Sequence, residues 1–408
     1  MAFDYDLVIL GGSSAGRLAA LKAAQLRSRV ALIEPARSHS PDFMSLFYQH
    51  WRQGTDVGVA RSRAANLAEA RSLALLATQG VDVCIGQAEF QRPLSVVVDG
   101  RIFRSRTYLL APDSEPVDRA LSLESIAAGR LPTGKITLMG SNPIALEISQ
   151  ILSRSIEVTL YLPKPLAGTD AETFGLLRSH LEAEGIRIEI HPPTGKLISI
   201  ERSPQLVLLN LAAAGVEVRS NFVPVNARLQ TSNPRIYACG EALGGYGLPH
   251  LADVEAAIAL ENALFWPRRS ISYGQIPWAI QTTPELAQVG LTEQQARRQY
   301  GRKVQIVRQT YRSTDRAKTS GEPIGLGKFI LKPDGKILGA HLFGANADET
   351  IASIALALQQ NLLIEALGSI APHATWGEIV SESARQWQRD RRPNWQREWI
   401  ERWFDWRR

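Results

Sequence analysis

Near the N-terminus a short apolar run, Asp6–Leu10, gives way at once to Gly11-Gly12-Ser13-Ser14-Ala15-Gly16. An alanine-rich stretch, Arg17–Leu26, follows, and a second apolar run, Val30–Ile33, ends in Glu34. Strand, glycine turn, helix, strand is a βαβ unit with a phosphate-binding turn, and it commits this part of the chain to a parallel sheet. Gly11 permits the sharp turn, and Gly16 lets helix and strand pack closely. Ser13 stands where backbone approaches a pyrophosphate, and it is small enough to be tolerated there. The helix start offers N–H groups and the positive end of its dipole to an anion. Glu34, 23 residues after Gly11, lies where an acid can hold ribose hydroxyls. The competing reading is a βα turn that binds nothing.

A second unit of the same kind begins at Lys135. Ile136–Met139 reads as strand, Gly140–Pro143 as turn, Ile144–Ser153 as helix and Glu157–Leu162 as strand, extended by a helix over Ala171–Glu184 and a strand over Ile186–Ile190. Between the two units, Ser62–Gln79 reads as one helix, Val81–Ile85 as a strand, and Leu94–Val98 and Arg101–Leu110 as hairpin-like strands. From Tyr273 the texture changes. Gln305–Tyr311, Gly327–Leu331 and Ile337–Phe343 read as antiparallel strands, and helices follow over Asp348–Gln360 and Thr375–Gln388. The pattern predicts an α/β chain with two Rossmann-like nucleotide-binding domains and a C-terminal α+β domain.

Composition narrows the function classes. The 408 residues hold 45% hydrophobic and 21% charged residues, a globular balance. No run of about 20 apolar residues is present, so no spanning helix is expected. The opening residues lack the features of a secretory signal, and the expectation is a cytoplasmic protein. Cys84 and Cys239 are the only cysteines, too far apart in sequence for a disulfide framework or a clustered zinc site. The formal charge of +6 is concentrated after Arg385, so basicity alone does not argue for nucleic acid.

The order of motifs resembles the pyridine nucleotide–disulfide oxidoreductases, the family of dihydrolipoamide dehydrogenase, glutathione reductase and mercuric reductase. The resemblance rests on DYDLVILGGSSAG at the start, GQAEF at 86–90, TSNPRIYACGEA at 231–242, TTPELAQVGLTEQQA at 282–296, GKILGAHLFGANADE at 335–349 and HATWGE at 373–378. It implies FAD on the first unit, over 1–133 and 225–268, held by Gly11, Gly12, Ser13, Ser14, Gly16 and Glu34. Ala88, Ala111, Gly240, Glu241, His250, Leu251 and Ala252 would complete that site. It implies NAD(P)H on 134–224 and a homodimer through 269–384. His373 and Glu378 match the family's C-terminal acid–base pair, in which the His serves a thiol of the opposing subunit.

Several positions depart from the family pattern. Its redox disulfide and nearby lysine should follow Glu34, but PARSHSPDFMSLFYQHW contains neither cysteine nor lysine. Serine cannot substitute, because the relay needs two sulfurs that exchange electrons as a disulfide. Glu241 replaces the family's aspartate, and Ala111-Pro112-Asp113-Ser114 replaces Ala-Thr-Gly-Ser. In the second unit Gly140 is kept, while Asn142 and Ala145 replace the other two glycines and Asn142 is expected to crowd a pyrophosphate. Glu147 matches a family acid on that helix. No acid ends the second strand, and Lys164 there is either a partner for a 2′-phosphate or a solvated lysine. In Arg391–Arg408, Trp395, Trp399, Trp403 and Trp406 recur at helical spacing among arginines. That stripe fits a membrane interface, a protein partner or the protein's own body. The expectation is a FAD-dependent oxidoreductase passing electrons to a small acceptor without a disulfide; the alternative is a non-catalytic nucleotide-binding scaffold.

Overall fold

Alternating apolar residues on the opening strand decide how the first sheet is covered. The computed structural model describes residues 3–35, 41–68, 72–117, 122–164, 166–192, 197–391 and 402–407. They form two compact units, 3–163 with 189–272, and 164–188 with 273 onward.

In the first unit the strand Tyr5–Leu10 lies in a five-stranded sheet flanked by Val30–Glu34 and Ser105–Leu110, with Asp82–Ile85 and Ile236–Ala238 at the edges. All four pairings are parallel. Leu7 and Ile9 point to one face, where Ala19, Ala20 and Ala23 of the Ser14–Gln25 helix meet Ala256 and Ala259 of the Pro249–Leu264 helix. Val8 and Leu10 point to the other, against Phe90, Val96 and Phe103. Alanine lets the two helices approach the sheet closely, so this face is tight by composition. Those three aromatic and aliphatic residues come from a small antiparallel sheet, Glu89–Gln91, Ser95–Val98 and Arg101–Phe103.

The second βαβ unit is built on Lys135–Met139, which pairs in parallel with Glu157–Tyr161 and Leu197–Ser199. Its helix, Pro143–Ser153, is buried over most of its length, in keeping with its continuous apolar run. Between the first-sheet strands Val30–Glu34 and Asp82–Ile85, in sequence, lie helices Pro41–Arg52 and Val57–Ala68.

The second unit carries a five-stranded antiparallel sheet. Its order is Trp278–Ile280, Glu285–Gly290, Ile337–Gly344, Gly325–Leu331, Gln305–Thr310. Helices Ala347–Gln359 and Glu378–Asp390 cover the core formed by Phe329, Leu342, Ile351, Ile354, Val380 and Trp387. The helix Ala171–Ala183 belongs to this unit. A buried lysine, Lys328, secures its start, with Nζ 2.9 Å from Asp170 and 2.9 and 2.8 Å from Glu172 and Glu293. Asp170 also caps that helix.

Three element boundaries differ from the sequence reading. Ser62–Gln79 is two helices, because Ser72 caps a new one at Leu73–Thr78. Arg101–Leu110 is two strands that serve different sheets, broken at Arg104. The last body helix starts at Glu378 rather than Thr375, after Ala374 in a left-handed conformation. Trp395 and Trp399 lie outside the described residues. Trp403 and Trp406 fall in a helical segment, with ring centroids 5.5 Å apart and both rings exposed.

Candidate functional site

The glycine turn closes as tightly as its sequence demands. Gly11 has φ +110°, and a Cβ there would overlap the Ala111 carbonyl on the neighbouring strand. A Cβ on Gly16 would strike the Gly11 carbonyl, and one on Gly12 would overlap the Glu34 carboxylate. Ser13 caps the helix, its hydroxyl accepting from the Gly16 amide at 3.2 Å. Ser14 opens that twelve-residue helix. A tight, small-residue turn at a helix N-terminus is the geometry that receives a diphosphate.

Glu34 is held from behind. Arg17, one residue past the last glycine, donates to both of its oxygens at 2.9 and 3.2 Å and to the Gly12 carbonyl at 3.2 Å. Both side chains are buried, at 4% and 5% exposure. The guanidinium therefore fixes the acid and the turn together. A charge on the first turn of a buried helix was the available signal for this pair, and the sequence reading passed over it.

The remaining predicted flavin contacts gather where the chain returns to this sheet. Ala111 follows the strand Ser105–Leu110 beside the central strand, its amide donating to the Leu10 carbonyl. Ala88 is buried in the core on the opposite face from the helices. Gly240 has φ +63°, donates its amide to Glu255 at 2.7 Å and lies against Ala252, next to Leu251 and His250 in the first turn of the Pro249–Leu264 helix. Glu241 is half-buried beside Asp113 and Ser114 of the altered crossover loop. Burial first, and then the Asp113 carboxylate, push its carboxyl up, and Arg202 opposes them. Arg202 in turn binds Ser114 and, at 2.9 Å, Glu124.

The second turn uses the same local solution as the first. Asn142 caps its helix, with Oδ1 accepting from the Ala145 amide at 2.9 Å, as Ser13 does for Gly16. A Cβ on Gly140 would press on Ala145. Glu147, two residues further, is hydrogen-bonded to the Tyr48 hydroxyl, and both are buried. Burial first, then the Glu147 charge, raise the Tyr48 phenol far above its usual range. Lys164 is exposed.

Tyr48 belongs to the Pro41–Arg52 helix, in the segment where the family pattern places a redox disulfide. Phe43, Phe47 and Trp51 stack along this helix at 6.4 and 6.3 Å between centroids, with interplanar angles of 13° and 11°. Both cysteines are free thiols, Cys84 on a strand and Cys239 fully buried. Burial is the leading cause that raises each thiol, so neither is poised as a thiolate.

In the second unit His373 Nδ1 lies 3.6 Å from Glu378, with the histidine ring exposed. Glu378 is positioned by two backbone amides, Ala374 at 2.6 Å and Arg316 at 3.0 Å. Asp315 completes a group of three whose donor atoms lie within 4.8 Å of one another.

Comparison with known proteins now decides the family. Residues 5–199 match the model described as pyridine nucleotide-disulphide oxidoreductase, and residues 276–384 match that family's dimerisation domain. The chain belongs to the pyridine nucleotide–disulphide oxidoreductases. The family binds FAD and draws electrons from NAD(P)H, so this chain is a FAD-dependent oxidoreductase, and its dimerisation domain supports a homodimer. A dihydrolipoyl dehydrogenase from Thermus scotoductus is 28% identical, over 93% of this chain and 96% of that protein. A mercuric reductase from Staphylococcus aureus is 27% identical, over 95% and 83%. Among solved structures, the HOCl-induced flavoprotein disulfide reductase RclA from Escherichia coli superposes with a TM-score of 0.80 at 21% identity, over 93% and 99% of the two chains. That likeness speaks for the fold. No helix among the described residues is long and apolar enough to cross a membrane.

Proposed function

We propose that this flavoprotein takes a hydride from NAD(P)H and passes electrons from the flavin directly to a small acceptor, without a redox disulfide. One observation carries the reading. The flavin turn is intact and braced, while the helix that follows Glu34 presents stacked aromatic rings and no sulfur pair. In this reading Gly11, Gly12, Ser13, Ser14 and Gly16 hold the FAD diphosphate, Glu34 the adenosine ribose, and Glu241 with Gly240 the ribityl end. When bound, the flavin supplies the two-electron carrier. Burial and the Asp113 carboxylate push the Glu241 carboxyl up, which eases the approach of a phosphate to this end of the site. Gly140 and the start of the Pro143–Ser153 helix take the nicotinamide nucleotide at the second turn. The His373–Glu378 pair serves a proton transfer that does not involve a thiol. The acceptor is a small oxidant such as a quinone, a dye or a metal ion. The tryptophan-rich tail recruits the enzyme to an anionic surface or a protein.

Anaerobic titration with NADH and with NADPH tests this. A lone flavin takes up two electrons, so full bleaching should require one equivalent of reductant per FAD. Two equivalents would reveal a second redox centre and overturn the proposal. Failure of both nucleotides to bleach the flavin would overturn it as well.

A further inference from the structure

The arginines of the first unit are not scattered. Four parallel strands start at one edge of its sheet, at Tyr5, Val30, Ser105 and Ile236. The residues leading into them include Arg27, Arg29, Arg104 and Arg235, and Arg106 follows one position inside. The Pro249–Leu264 helix ends at the same edge, where the Ala263 carbonyl accepts from Thr107 at 3.1 Å. Beyond it comes Phe265-Trp266-Pro267-Arg268-Arg269. Asn262 draws in one more arginine, donating to the carbonyls of Arg228 and Arg269 at 3.0 and 2.8 Å.

With Asp82 at the start of the fifth parallel strand, paired with Arg101, nine arginines thus face four acids, Asp4, Asp6, Asp82 and Glu261. Asp6 is engaged by Arg29 and Arg106, and Glu261 by Arg269. Arg27, Arg104, Arg228 and Arg268 make no ion pair among the described residues. Large apolar side chains protrude between them: Trp266 is 76% exposed, Phe265 61%, Leu26 55% and Phe3 40%. Arg235 stacks over Phe3 at 5.2 Å.

We infer that this edge is a docking surface for an anionic phospholipid bilayer. Charge complementarity selects the headgroups, because unpaired guanidinium groups gain from a negative surface within a Debye length. Tryptophan and phenylalanine at the tips of chain turns suit the depth of the headgroup boundary, with arginine reaching phosphate beside them. A nucleic acid would use the charges but has no use for Leu26 at a helix end, and a groove lined by stacking rings is not what the edge offers. The flavin turn sits at the opposite, C-terminal ends of the same strands. Docking here leaves it open.

The test uses full-length, FAD-loaded protein in co-sedimentation with vesicles of phosphatidylcholine alone or containing about one third phosphatidylglycerol. Binding is expected only to the anionic vesicles, weakening as salt rises. Two exposed double variants separate the components: Phe265→Ser with Trp266→Ser, and Arg104→Glu with Arg268→Glu. Each is expected to weaken binding about tenfold or more, on a gain of several-fold per arginine at such a surface. FAD content and melting temperature should stay at wild-type values. The inference is overturned if wild-type protein stays in solution. It is equally overturned if both variants sediment like wild type, which would assign binding to the tail. Binding to a single-stranded oligonucleotide with none to vesicles would replace lipid by another polyanion.

Discussion

Replacing Arg17 by methionine should destabilise the first unit severely, and the structure fixes the size of the effect. Arg17 and Glu34 are both nearly inaccessible, and the guanidinium meets both carboxylate oxygens. Removing one partner of a buried pair leaves a charge that has lost its hydration and its neutralising group, at a cost of about 3–5 kcal/mol. Against a total stability of about 5–15 kcal/mol that is a large fraction. Glu34→Gln alone leaves Arg17 buried with an uncharged acceptor and should cost a comparable amount. The double variant removes both charges, so its loss should be much smaller than the sum of the singles. Urea unfolding of the four proteins, stripped of FAD and followed by far-ultraviolet circular dichroism, closes the cycle. A coupling of about 2 kcal/mol or more is expected. Additive singles, or an Arg17→Met midpoint within error of wild type, would show that the pair does not brace the turn. Repeating the cycle with FAD separates stability from recognition. Double-variant protein that folds but binds FAD about tenfold more weakly would place Glu34 on the ribose, since that is the worth of one hydrogen bond.

Gly12→Ala should abolish FAD retention while Gly175→Ala does not, because a methyl at Gly12 overlaps the Glu34 carboxylate and one at the helical Gly175 meets nothing within 4 Å; flavin absorbance of the purified variants reads this out. The Lys328 cluster should make melting temperature depend on pH in a definite direction. Burial pushes Asp170 and Glu293 up, but hydrogen bonds and charge together, from Lys328 on all three acids, Arg308 on Glu172 and Arg297 on Glu293, hold Asp170, Glu172 and Glu293 below the ordinary range. Burial likewise lowers Lys328, and the three acids together hold it above its own. Depressed carboxylates contribute stability above their unfolded pKa near 4 that is lost as pH falls further, and the raised lysine contributes stability that is lost only above about pH 10.5. Lys328→Met should therefore cost about 3–5 kcal/mol at neutral pH, with the gap to wild type closing in acid; a constant gap from pH 7 to pH 3 refutes the assignment. Reduced protein should show no long-wavelength thiolate-to-flavin band. A band that disappears on alkylation would bring Cys84 or Cys239 to the flavin.

The βαβ turns were legible because their constraints are local. A residue such as Gly11, with φ +110° against a neighbouring carbonyl, admits little else, so its role shows in the letters. The continuous apolar run Leu7, Val8, Ile9, Leu10 likewise showed a strand, and the structure buries it on both faces. What the letters hid depends on partners distant in sequence. Tyr48 meets Glu147 across 99 residues, and Lys328 meets Asp170 across 158. No periodicity encodes either contact. The break at Ser72 was missed for a different reason, since alanine and leucine continue on both sides and the serine cap outweighs them. That Asn142 would cap its helix through the Ala145 amide was legible in principle, because asparagine before proline is a common helix start, but it depends on a rotamer the letters do not fix.

The state of the two thiols bears on where such an enzyme can work. Dithiol enzymes are vulnerable to trivalent arsenicals and to hypochlorous acid, which need a nucleophilic sulfur or a vicinal pair. Cys239 is fully buried, and Cys84 sits on a strand with its thiol raised by burial, so neither offers that handle. Turnover should survive doses of arsenite or oxidant that silence a disulfide-dependent reductase, and the limit on its life in a stressed cell becomes the flavin and the tryptophans instead.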